Sequence, residues 1–200
     1  MRLFGIKAYR RRGRKPRKYG MDRRSYPNLL KSHIPQGLDD VWVADFTYIP
    51  YFGKFLYMAT VMDVFGKVVV GLAVTMRHDA SLVLQALFSS LTNHPRPAIF
   101  HSDNGREYGS RVFTRALDDL SIRISRSAKA SHWENGYQES FYSQFKVDLG
   151  DPERFKTLGE LVYEIYRLVW EYNHTRIHSV LKMPPLLFVE RYRKLLEKVS

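Results

Sequence analysis

Between Val41 and Thr75 the chain carries three β-rich apolar runs with very little between them, and this stretch restricts the possible folds more than any other. Val41–Ile49 reads V-W-V-A-D-F-T-Y-I, Phe55–Met62 follows the turn residues Pro50–Lys54, and Val68–Thr75 follows Phe65-Gly66-Lys67. Short runs rich in Val, Ile, Phe and Tyr and bounded by Gly and Pro read as strands. Connections this short join strands only antiparallel, so the three form a meander. The period then changes. Asp79 is placed to cap a helix with Leu82, Val83, Ala86, Leu87 and Ser90 on one stripe. Pro97–Ser102 is a short strand ending at Asp103. Ser110–Leu120 is a helix expected to turn Val112, Phe113, Ala116, Leu117 and Leu120 inward, and Ile122–Ser125 is a fifth strand. Strands alternating with helices imply parallel crossovers. The expected class is therefore α/β, with a mixed five-stranded sheet, antiparallel meander first and parallel strands after, flanked by helices.

Beyond the fifth strand the polar loop Ser127–His132 leads into a helix through about Leu149. Further helices are expected over Leu158–Asn173 and from Pro184 to Leu196, with a proline in the first turn of the last. The charge is unevenly placed. Residues 1–40 hold 12 Lys/Arg against three acids, and residues 41–200 hold 20 against 17. The expected organisation is a basic, flexible arm over 1–37 and a core over 38–200. Arg11, Arg12 and Lys15 in the arm are candidate DNA-phosphate contacts, the alternative being a solubilising leader. With no cysteine, disulfides and thiolate zinc sites are excluded. The longest apolar stretch, Phe55 to Thr75, is interrupted by Asp63, Gly66 and Lys67 and does not read as a membrane helix.

Three carboxylates stand out. Asp45 lies mid-strand, facing the same side as Val43 and Thr47, where a charge is costly unless paired or metal-bound. Asp103 ends a strand, where ligands of open α/β sheets gather, although Asp-Asn-Gly is also a turn word. Glu139 lies on a helix, with 35 residues between it and Asp103. Lys146 follows it two turns later on the same face, and Phe141 points the opposite way. That polar stripe also suits an ordinary solvated face. Separated carboxylates that converge can hold two divalent metals for phosphoryl transfer. The pair His174/His178 could bind zinc at i, i+4, but structure or phosphate contact is favoured. Asp63 reads as turn chemistry, and Trp133, Tyr137, Phe141 and Phe145 read as core rather than base-stacking platforms, the alternative for Trp133 at the helix start being to face DNA.

Four pieces of sequence carry a family resemblance: W-V-A-D-F-T-Y-I at 42–49, H-S-D-N-G-R-E-Y at 101–108, E-N-G-Y-Q-E-S-F-Y-S-Q-F-K at 134–146, and Y-N-H-T-R-I-H at 172–178 followed by Pro184-Pro185. In this order the chain resembles the catalytic core of insertion-sequence transposases of the two-reading-frame type, in the retroviral-integrase superfamily. The resemblance implies an RNase H-like fold and a DNA transposase that cleaves DNA and transfers the 3′-hydroxyl end. It implies catalytic and metal-ligating roles for Asp45, Asp103 and Glu139, and two divalent ions, Mg²⁺ or Mn²⁺. Lys146 is implied to contact DNA near the site, and Arg126 and Lys129 are further candidate contacts. It also implies element-end and target DNA as partners, a homo-oligomer on DNA, and a bacterial cytoplasmic, nucleoid-associated location. This chain has Glu134 and Gly136 where the family usually has Asp and Ala. The family usually carries a helix-turn-helix upstream of the core, where here the basic arm stands. A helix-turn-helix partner or upstream fusion is therefore expected. The rival readings are a related integrase or nuclease, and a catalytically silent DNA-binding remnant.

Overall fold

The computed structural model describes residues 21, 22, 24–127 and 136–199, with the side chain of residue 199 left out. Five strands form one sheet in the order β3-β2-β1-β4-β5. They are β1 (Val41–Tyr51), β2 (Lys54–Asp63), β3 (Val69–Thr75), β4 (Ile99–Ser102) and β5 (Arg123–Arg126). β1, β2 and β3 pair antiparallel, and β1–β4 and β4–β5 pair parallel, as the meander and the later crossovers require. The helices are α1 (Ala80–Leu91), α2 (Arg111–Asp119), α3 (Gly136–Leu149), α4 (Leu158–His174) and α5 (Pro185–Val199). Side chains fix the starts of three of them. Asp79 caps α1, Ser110 caps α2, and Thr157 with Glu160 forms a capping box on α4.

Each strand presents alternate residues to two cores. Trp42 and Ala44 join Leu82, Leu87, Phe113 and Leu117 on the α1/α2 face. Val41, Val43 and Ile49 join Phe141, Phe145, Leu161 and Ile165 on the α3/α4 face. Asp45 therefore points toward α3. On α2 the inward set is Phe113, Thr114 and Leu117, while Val112 is 64% exposed. Thr114 takes the buried place, and its hydroxyl donates to the Ser110 carbonyl at 3.1 Å. Asn173 of α4 grips the β3 edge: its Nδ2 donates to the Val69 carbonyl and its Oδ1 accepts from the Val69 N–H, both at 2.9 Å.

The described part of the segment expected to be arm lies against the core. Met21 bridges Ser110, and the Arg126 N–H donates to the Pro27 carbonyl at 3.1 Å. The Leu29 N–H donates to Ser125 Oγ at 2.9 Å. Tyr26 packs on one core and Leu29 and Leu30 on the other. These ties run through backbone groups and single side chains, which leave no hydrophobic period to read. Arg11, Arg12 and Lys15 lie outside the described residues, as do Lys129, His132 and Trp133.

Candidate active site

The site is assembled where β4 ends. Ala44 of β1 is in register with Ser102 of β4. The next residues on the two strands are Asp45 and Asp103, so parallel pairing sets these two residues side by side at the point where β4 ends and β1 runs on paired with β2 alone. Parallel neighbours lie ~4.8 Å apart. Oδ1 of Asp45 accepts the Phe46 N–H at 2.8 Å, and Oδ1 of Asp103 accepts the Gly105 N–H at 2.9 Å. A Cβ at Gly105 would stand 2.8 Å from that Asp103 oxygen and 3.3 Å from Glu107 Oε2, so a side chain there would displace the Asp103 carboxylate.

Glu139 arrives on α3, which is bolted to β1 by buried polar contacts. Gln138 Nε2 donates to the Val43 carbonyl at 2.9 Å, and its Oε1 accepts the Thr60 hydroxyl at 2.8 Å. Tyr142 donates its hydroxyl to the carbonyl of Asp45 itself at 2.8 Å. Thr60 is the antiparallel partner of Asp45. Glu139 thus sits one residue from one bolt and one helical turn from the other, with its side chain exposed. Neither Gln138 nor Tyr142 is legible as functional from residue type. Yet Gln138, Phe141, Tyr142, Phe145 and Leu149 share one helical stripe. A glutamine heading a buried stripe was the available signal.

Burial, with the nearby charges of Asp103 and Glu139, raises the Asp45 carboxyl to about 7, and Lys146 pulls it back down. All three acids and Lys146 therefore share one electrostatic neighbourhood. Lys146 is exposed, its Nζ 5.3 Å from the centre of the Tyr48 ring on β1. Among the described residues no three His, Asp or Glu side chains already converge to metal-holding distance.

The remaining candidates take other places. Arg126 is 6% exposed, donates Nη2 to the Tyr108 carbonyl at 2.6 Å and lies over the Tyr26 ring. His174 stacks on Trp170, with Nδ1 2.8 Å from the Trp170 carbonyl. His178 accepts the Val180 N–H through Nδ1. The two histidines are engaged separately and do not present a shared ligand pair. Asp63 is buried and accepts the N–H groups of Gly66 and Asp39 at 2.5 and 2.7 Å, which is turn chemistry. Phe141 and Phe145 are core, but Tyr137 is 44% exposed with Lys67 Nζ 3.8 Å from its ring centre. The sequence also left His78 unmentioned. It stacks on Tyr57 and reaches Glu107 at 3.3 Å, tying β2 to the loop that follows Asp103.

Comparison with known proteins places this geometry. Residues 36–132 and 120–185 match two family models, each described as an integrase core domain. The transposase for insertion sequence element IS904 of Lactococcus lactis subsp. lactis (strain IL1403) is 33% identical over 175 residues, covering 84% of this chain and 68% of that protein. The transposase for IS629 of Shigella sonnei is 31% identical over 150 residues, 74% of this chain and 50% of that one. Transposase InsF for IS3A of Escherichia coli (strain K12) is 31% identical, with 76% and 54% covered. The chain thus spans from half to about two thirds of the length of these relatives.

Among solved structures, one chain of the simian T-cell lymphotropic virus intasome in complex with PP2A regulatory subunit B56 gamma superposes with a TM-score of 0.68 at 19% identity, over 84% of this chain and 60% of that one. The HTLV-2 integrase catalytic core domain in complex with magnesium (trimeric form) gives 0.62 at 17% identity, over 75% and 95%. At these identities the likeness is one of fold, and the fold is RNase H-like. Among the described residues no helix is long and apolar enough to cross a membrane. The chain belongs to the insertion-sequence transposases that carry an integrase core domain.

Proposed function

We propose that this chain is the catalytic core of a metal-dependent DNA transposase. It cuts a DNA strand and joins the freed 3′-hydroxyl to target DNA, with Asp45, Asp103 and Glu139 as the catalytic acids and metal ligands. The observation that carries this reading is the β1–β4 register, which makes Asp45 and Asp103 neighbours, together with the charge coupling of Asp45 to Glu139. The donor set suits a hard divalent ion: carboxylate oxygens only, one of them held near neutrality by burial and like charge. Two Mg²⁺ or Mn²⁺ ions, when bound, supply Lewis acidity to the attacking and leaving oxygens of an in-line phosphoryl transfer.

The chain's own groups provide the framework. The N–H groups of Phe46 and Gly105 hold Oδ1 of Asp45 and Asp103, leaving each Oδ2 as the ligating oxygen. Gln138 and Tyr142 fix α3 against β1 so that Glu139 is presented from a rigid element. Lys146 at the rim is a mobile point charge for a DNA phosphate. Around this core, the basic residues at 1–37, Arg11, Arg12 and Lys15 among them, and Lys129 add phosphate contacts that carry no sequence information. Selection of the element's ends then falls to a helix-turn-helix partner or fused segment, with the core acting as a homo-oligomer on DNA in the bacterial nucleoid.

The test is strand transfer in Mg²⁺ by Asp45→Asn, Asp103→Asn and Glu139→Gln, each checked for folding by circular dichroism. Each substitution keeps shape and removes a ligand, so each abolishes joining. Near-wild-type joining by any one of them removes that residue from the site.

A further inference from the structure

A cavity of about 570 Å³ lies between the chain before β1, the end of β5 and the loop after Asp103. Its described lining includes Arg24, Lys31 and Arg126, against a single acid, Asp22. Asp22 is already committed: it accepts from Arg24 Nε at 2.8 Å and from the Tyr26 hydroxyl at 2.5 Å. Those bonds hold its carboxyl well below the usual range. Arg24 also pairs with Asp118 at 2.5 Å. Arg24 is thus balanced by two carboxylates, and Lys31 and Arg126 are the other cationic residues of the described lining.

Arg126 is the unusual member. It is 94% buried, yet among the described residues it makes no ion pair with a carboxylate. Of its five N–H donors, Nη2 reaches the Tyr108 carbonyl, and Nε is buried with no partner among the described residues. Buried guanidinium groups are ordinarily paired, because stripping their water without a counter-charge is costly. Gly109 also lines the cavity beside Arg126: a Cβ there would touch Nη1 at 3.5 Å and crowd Met21 Cε at 2.8 Å. The cavity also adjoins the acids. Asn104, which lines it, directly follows Asp103 and donates Nδ2 to the Ser127 carbonyl at 2.7 Å.

We propose that this cavity is a phosphate subsite for the DNA backbone, with Arg126 as the forked donor and Lys31 as the point charge at its mouth. It seats a phosphate of the same strand that Asp103 addresses, a neighbour of the one being cut. The inference rests on the transposase reading. A cationic seat beside a carboxylate cluster sets the strand's register, since one phosphate is drawn in while the acids repel the others until metal arrives. A planar fork matches phosphate geometry, and Lys31 supplies charge without directionality.

The experiment uses the full chain in EDTA, so that metal chemistry does not enter, with a fluorescein-labelled DNA duplex followed by anisotropy over a range of salt. Lys31→Gln reduces the slope of log K against log salt by about 0.9, the value for one lost phosphate contact. Arg126→Lys keeps the charge but loses the fork, and binds about tenfold more weakly, as expected for losing one charge-assisted hydrogen bond. Lys194→Gln on α5 is the control and keeps the wild-type slope. Equal losses in Lys31→Gln and Lys194→Gln mean that any cation serves, and overturn the subsite. Unchanged binding by Lys31→Gln and Arg126→Lys also overturns it. If inorganic phosphate raises the melting temperature of the wild type while neither substitution alters DNA affinity, the cavity holds free anions and the DNA proposal falls. A wild type that joins DNA while both variants bind like it loses only the subsite. A wild type that binds no DNA loses the transposase reading too.

Discussion

Asp45→Asn should make the metal-free protein more stable while it abolishes catalysis, and the size of that gain follows from the site. The Asp45 carboxyl is raised from an ordinary 3.8 to about 7, chiefly by burial and then by the neighbouring acids. At ~1.36 kcal/mol for each step of one in pKa, the ionised side chain costs the fold about 4 kcal/mol. The carboxyl is open to solvent on one side, so screening reduces this to about 2 kcal/mol. The folded protein binds the proton more tightly than the unfolded chain between pH 3.8 and about 7. Stability that is fully present below pH 3.8 is therefore lost as pH rises to about 7. Asparagine keeps the Oδ1 that accepts the Phe46 N–H and carries no charge.

In EDTA at alkaline pH the variant should melt about 4–8 °C above the wild type, for a domain of this size. At pH ~5 the advantage should be smaller than at alkaline pH, by the same linkage. Adding Mg²⁺ should then raise the wild type alone, by RT ln(1 + [L]/Kd). The assay is differential scanning calorimetry of both proteins under these conditions. An Asp45→Asn protein no more stable than wild type at alkaline pH in EDTA, or one whose gain does not shrink at pH ~5, refutes the electrostatic account.

Gln138→Leu removes the buried donor to the Val43 carbonyl and one of the two partners of the Thr60 hydroxyl, which keeps Tyr142. It should cost about 2–4 kcal/mol in urea unfolding, and strand transfer should fall because Glu139 loses its support. Asn173→Ala deletes both bonds to Val69 and should cost about 2 kcal/mol, with faster hydrogen exchange at the β3 edge as the local readout. Deleting residues 1–20, which carry 9 Lys/Arg and no acid, should flatten the salt dependence of DNA binding and leave the melting temperature of the core unchanged. An unaltered salt slope would place those charges away from DNA.

The elements and their order were legible because they rest on local physics. Period-two runs specified β1 to β3, and Asp79 and Ser110 announced their helices through the side-chain oxygens that cap them. The motif words pointed to Asp45, Asp103 and Glu139 before any coordinates, and to the family that the comparisons show. Where local physics is degenerate, the reading drifted: Val112 and Thr114 both flank Phe113 on nearly opposite faces of α2, and only packing against the sheet chose threonine for the interior. Tyr137 has a core-like side chain, yet it lies at the surface beneath Lys67.

What the chain alone could not specify is register and neighbourhood. That Ala44 faces Ser102, and hence that Asp45 stands beside Asp103, is a pairing between strands far apart in sequence, fixed by how two hydrophobic faces close over the sheet. The same holds for the residues before β1, which reach β5 through one backbone hydrogen bond and one bond to the Ser125 hydroxyl, neither of which leaves a pattern in the sequence. It holds again for Arg126, whose charge is plain in the sequence but whose burial beside Tyr26, short of a carboxylate, exists only in three dimensions. Periodicity and capping act within a turn or a strand and can be read from the chain. The acidity of a carboxylate and the hunger of a buried cation for an anion depend on what tertiary packing brings near them and on how much water it removes.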